Sequence, residues 1–167
     1  EQAQKALKLN PDNTRALALL ARCQLEERKM DDARVTLRRI TESKDPSRSD
    51  LTARLLLAEI DLNEGRVDKA IPQFEEAVKA DAKSIPAHMG LGAAYLAKGK
   101  LREAIEEFER VLTLDATHAQ ALIAMSRAYR DSNRLDLSLE YCERAAEVNP
   151  ADVGVRFELA AIRMAQR

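Results

Sequence analysis

Residues 86–116 read PAHMGLGAAYLAKGKLREAIEEFERVLTLDA, and they decide the fold because the chain repeats them. Thirty-four residues upstream lies TARLLLAEIDLNEGRVDKAIPQFEEAVKADA, which pairs Ala87 with Ala53, Leu91 with Leu57, Gly99 with Gly65, Ala104 with Ala70 and Phe108 with Phe74. The same shift downstream pairs Ala94 with Ala128, Tyr95 with Tyr129, Leu101 with Leu135 and Arg110 with Arg144. A fixed period of this length is the mark of a solenoid. Inside the unit, Leu91, Ala94, Tyr95 and Leu96 recur at helical spacing, Gly99 interrupts, and Leu101, Ala104, Ile105, Phe108, Val111 and Leu112 resume it, so each unit reads as two amphipathic helices. Gly65 and Gly99 suit the corner between them, where a left-handed residue ends the first helix; Asn133 serves less comfortably. Small residues at Ala58, Gly92, Ala70 and Ala104 let helices approach, and Phe74 and Phe108 fill the space beside them.

This pattern resembles the tetratricopeptide repeat family, whose unit carries a leucine and a small residue, then an aromatic, then an alanine and an aromatic in its second helix, and a closing proline. Leu91, Gly92, Tyr95, Ala104 and Phe108 match in that order, and the resemblance spans essentially the whole chain. It implies an all-α solenoid of stacked helix-turn-helix repeats wound into a right-handed superhelix of about ten helices. The family's opening tryptophan is replaced by Leu17, Arg54, His88, Leu122 and Arg156, and its closing proline is kept only at Pro11 and Pro150.

The register assigns residues 1–13 to the second helix of a truncated repeat, 14–50, 51–84, 85–118 and 119–152 to four complete repeats, and 153–167 to the first helix of a further truncated one. The chain thus reads as a piece of a longer protein. The first complete repeat is three residues longer than the others, with the extra length in the polar stretch SKDPSRSD, expected to be a joining loop. Pro72 is expected in the first turn of its helix, where a missing N–H costs little.

A formal net charge of −1 supplies no broad basic field for phosphate backbones, which disfavours nucleic acid. Charged residues make up 33% and aromatics 4%, a balance that suits thin stacked helices better than a thick core. No run of about eighteen apolar residues is present, so membrane insertion by this segment is not expected. Cys23 and Cys142 fall at core-facing positions in the register and are expected to be reduced and unpaired. His88 reads as a half-exposed packing residue and His118 as a solvated turn residue. With no cysteine at metal-ligand spacing near either, no metal, cofactor or catalytic centre is expected. The glycines of GLGAAY sit inside a helix and make no phosphate loop.

Function must then lie in surface. In the family, the first helices line the concave face, and the resemblance places Leu55, Met89, Ile123 and Phe157 at one inward position and Leu25, Leu62, Leu96 and Met164 at another. Arg22, Glu59, Arg127, Arg130, Asp131 and Glu158 are the polar residues nearby. The expected partner-binding groove is therefore Leu55, Leu62, Met89, Leu96 and Ile123 with Arg127, Arg130 and Phe157. Packing against neighbouring helices is the rival account of the stripe. The clamp by which chaperone-binding members hold acidic C-terminal peptides is missing, because its places hold Ala18, Leu56, Glu59, Pro86 and Gly90. These features lead to a non-enzymatic protein-interaction scaffold for an apolar or amphipathic helix or peptide. The alternatives are an assembly element of a bacterial envelope complex, for pilus assembly or polysaccharide export, and a substrate-recruiting arm of a larger enzyme. Localisation stays open between cytoplasm and bacterial periplasm. End-to-end self-association is expected from Ala3, Ala6 and Leu7 at one end and Phe157, Leu159 and Ile162 at the other.

Overall fold

Ten helices follow one another in the computed structural model, which describes residues 2–41 and 48–165. They are α1 (Gln2–Leu9), α2 (Thr14–Glu26), α3 (Met30–Thr41), α4 (Arg48–Asn63), α5 (Val67–Ala80), α6 (Ile85–Ala97), α7 (Leu101–Leu114), α8 (Ala119–Asp131), α9 (Leu135–Val148) and α10 (Val153–Ala165). The chain divides into two compact units, Glu1–Ala82 and Lys83–Arg167. In the first, α2 packs on α3 and α4 on α5, α3 bridges to α4, and α1 lies on α2; in the second, α6 packs on α7 and α8 on α9, with α10 on α9 and α8.

The starts and stops of these helices repeat because their chemistry does. Asn13, Ser84 and His118 cap α2, α6 and α8 by accepting the backbone N–H three residues on, and Asp152 accepts those of Gly154 and Val155 at the start of α10. His118 is thus a half-buried cap through its Nδ1, not the solvated turn residue expected from sequence. At the corners that follow α2, α4, α6 and α8 the second residue past the helix is left-handed: Arg28 (φ 60°), Gly65 (74°), Gly99 (76°) and Asn133 (59°). The next backbone N–H then reaches back five residues around the turn, from Lys29, Arg66, Lys100 and Arg134 to the carbonyls of Gln24, Asp61, Tyr95 and Tyr129. Arg28 is the corner that periodicity alone misses.

Two smaller differences concern α4 and α5. Of the stretch SKDPSRSD, residues 43–47 lie outside the described residues, and Arg48–Asp50 form the start of α4 rather than a loop. Pro72 sits in the second turn of α5, where an ordinary residue would donate to the Asp68 carbonyl; the helix runs on through it with the ring exposed, held by buried Ala70, Ile71, Phe74 and Ala77.

The core of the first unit joins Leu17, Ala21, Ala33, Leu37, Ile40, Ala53 and Ile60. Cys23 lies outside it and is exposed, against expectation. Its repeat equivalent Ile60 is buried against α2 and α3, whereas α2 has only the short α1 before it. A polar knot ties the helices on the other side. Asp61 accepts Arg34 Nη1 at 2.8 Å, Arg66 Nε at 3.0 Å and Gln73 Nε2 at 2.9 Å. Burial alone would raise the Asp61 carboxyl, but these donors outweigh it and hold the group below the usual carboxylate range.

In the second unit, Gly92 shows why its helix carries no Cβ there: a Cβ would stand 2.5 Å from the buried Phe108 ring. Where the fourth repeat places serines at both small positions, Ser126 and Ser138 donate reciprocally to each other's carbonyls at 2.8 Å, so neither hydroxyl is buried unsatisfied. His88 is likewise buried, 1% exposed, not half-exposed as its arginine equivalents suggested; its Nδ1 lies 2.5 Å from Glu107 Oε2 across α6 and α7. At the two ends, Ala3 and Ile162 are buried and Leu159 is half-buried, so of the residues expected to be exposed for association Phe157 alone is widely open.

Candidate partner-binding groove

Helices α6 and α8 present one face each to a cavity of about 450 Å³ that is open to solvent. Met89, Ala93 and Leu96 recur at spacings of four and three along α6, and Gln120, Ile123, Ala124 and Arg127 at three, one and three along α8, so each set shares a helical face. The Phe108 ring from α7 joins the lining, and Asp152 and Gly154 close it at the start of α10. Met89, Leu96 and Ile123 are half-buried: one side of each packs into the unit's core clusters while the other faces the cavity.

The structure therefore gathers Met89, Leu96, Ile123 and Arg127 from the predicted set. Arg130 and Phe157 stand outside the lining: Arg130 turns to Glu158, and Phe157 on α10 is 72% exposed. Leu55 and Leu62 are half-buried on α4 in the first unit. Sequence reasoning missed Ala93, Phe108, Gln120, Ala124, Asp152 and Gly154 as lining residues. The helical spacing from Met89 and Ile123 could have supplied Ala93, Gln120 and Ala124, while Asp152 ends the repeat that holds α8, beyond α9, and has no local signal.

Glu158 is not the surface groove residue it was read as. Its carboxylate is 1% exposed and takes Arg130 Nη1 at 2.5 Å on one oxygen and Arg127 Nε at 3.2 Å on the other, linking α8 to α10. A carboxylate buried so deeply is held by such pairing. Among the described residues, no cluster of His, Cys, Asp and Glu could hold a metal ion, and no helix is long and apolar enough to cross a membrane.

Family models described as tetratricopeptide repeat match residues 1–55 and 61–125, 36–85, and 119–152. The chain belongs to the tetratricopeptide repeat family. Among solved structures of this repeat fold, a thermophilic TPR protein from Thermus thermophilus is 23% identical, with 97% of this chain and 87% of that chain covered at a TM-score of 0.80. MamA is 22% identical over 89% of this chain and 85% of its own, at 0.76. YrrB, described as a TPR protein with an unusual peptide-binding site, is 18% identical over 93% and 78%, also at 0.76. These likenesses are of fold. No curated protein matches.

Proposed function

We propose that the tetratricopeptide repeats of this chain form a protein-interaction scaffold whose second unit receives an amphipathic helix or peptide between α6 and α8. The observation that carries this reading is the open cavity of about 450 Å³ walled by Met89, Ala93, Leu96, Ile123 and Ala124. Apolar side chains held half in water gain free energy when a partner's apolar face covers them, and methionine adapts to varied shapes. The lining contains no nucleophile, and its carboxylate, Asp152, is committed to capping α10, which favours binding over chemistry. YrrB, similar in fold, is described as having a peptide-binding site.

A peptide library displayed on phage and selected on the folded chain tests this. Enriched peptides should carry apolar residues three and four apart. Met89→Glu with Ile123→Glu should weaken them more than about tenfold, since charge placed where apolar surface is buried costs about 2 kcal/mol. Ala93→Trp, which fills the cavity and removes no packed side chain, should do the same with circular dichroism and melting temperature unchanged. Selected peptides that bind the Ala93→Trp chain as tightly as the parent overturn the groove.

A further inference from the structure

Arg127 is the one cation in the groove lining, and it is fixed in place in a way that leaves half of its guanidinium unused. Its Nε donates to Glu158 Oε2 at 3.2 Å, and among the described residues Glu158 is its one partner. Pairing through Nε leaves both terminal nitrogens, with their forked N–H donors, to other acceptors. The side chain remains 48% exposed. Arg130, by contrast, is drawn to Glu158 at 2.5 Å and also contacts Asp131 at 3.4 Å. With Asp131 included, the two arginines face two carboxylates and the charges balance, so what Arg127 keeps for a ligand is its terminal N–H donors. Asp152, the lining's own carboxylate, spends its Oδ1 on the N–H groups of Gly154 and Val155.

We propose that Arg127, positioned by Glu158, recognises an acidic side chain on the partner, so that the ligand is an amphipathic segment with Asp or Glu beside its apolar anchors. The assignment rests on the groove reading above. A fork aimed at a carboxylate offers two parallel charge-assisted hydrogen bonds and fixes the ligand's register as well as its affinity. The cavity is open to solvent, so a peptide can lie across it with a side-chain carboxylate at Arg127.

The probes are phage-selected peptides and their Glu→Gln or Asp→Asn versions, each with free or amidated C-terminus, measured by fluorescence anisotropy. On the parent chain the acid should bind about tenfold tighter than the amide, and the difference should shrink as salt rises. Arg127→Gln should bring the ratio close to one. Glu158→Gln should lower it severalfold although Arg127 is still present, an effect that loss of packing alone would not produce. If that variant melts early, the Arg127→Gln comparison still decides the matter. An unchanged ratio in Arg127→Gln, with binding still blocked by Ala93→Trp, overturns the carboxylate assignment and leaves the groove standing. Sensitivity to C-terminal amidation with indifference to Glu→Gln moves the carboxylate to a terminus and overturns the side-chain source. Peptides indifferent to Ala93→Trp overturn the groove itself, and this assignment with it.

Discussion

Cys23 in α2 and Cys142 in α9 were both expected to face the core and have opposite surroundings. Cys23 is exposed, whereas Cys142 is buried with its Sγ 3.6 Å from the Val155 carbonyl oxygen. Burial, reinforced by the Glu158 charge, pushes the Cys142 thiol up, away from the reactive thiolate. A thiol reagent such as Ellman's should therefore modify one cysteine rapidly in the native protein and the second only in denaturant. Cys23→Ser should leave the native protein almost unreactive, and two fast thiols in the parent would contradict the burial. His88 and Glu158 show what a sequence cannot display at this scale. The arginines at the equivalents of His88 predicted exposure, but Glu107 from the neighbouring helix pairs with the ring and lets it be buried. Glu158 has its partners on another helix, about thirty residues away in the chain, where no local spacing points.

The helices were legible because a period of thirty-four shows the apolar faces and most of the corners several times over. Gly65, Gly99 and Asn133 announce their corners by residue type, since glycine and asparagine tolerate left-handed backbone. Arg28 does not, and its repeat differs in length, so its corner is visible only in the structure. A side chain with a Cβ pays about 1–2 kcal/mol for that conformation. Replacing it by glycine removes the strain, while the freer unfolded chain returns part of the gain. Arg28→Gly should therefore stabilise the fold by roughly 1 kcal/mol; a lowered denaturation midpoint at unchanged slope would show that the corner is not strained. The groove was half legible for a related reason: the family resemblance located Met89, Leu96 and Ile123, but which side chains turn to the core and which to a cavity depends on neighbouring helices.

At the scale of the whole molecule, the most exposed large apolar side chains of the second unit, among the described residues, are Val153, Phe157 and Met164 on α10, 73%, 72% and 77% exposed. Covering Phe157 alone is worth about 2 kcal/mol, or some thirtyfold in a dissociation constant. Sedimentation velocity should show concentration-dependent association that Phe157→Glu weakens by at least that factor. Identical profiles for the two chains from micromolar to millimolar would show that these side chains are adequately solvated. Among the described residues the same helix touches α8 and α9 alone, whereas α8 is gripped by α6, α7, α9 and α10. Detaching α10 therefore breaks one seam, and freeing α8 dismantles the unit around it. Deuterium will accordingly enter the amides of α10 long before those of α8, so the α6 and α8 faces of the cavity outlast the end that α10 closes.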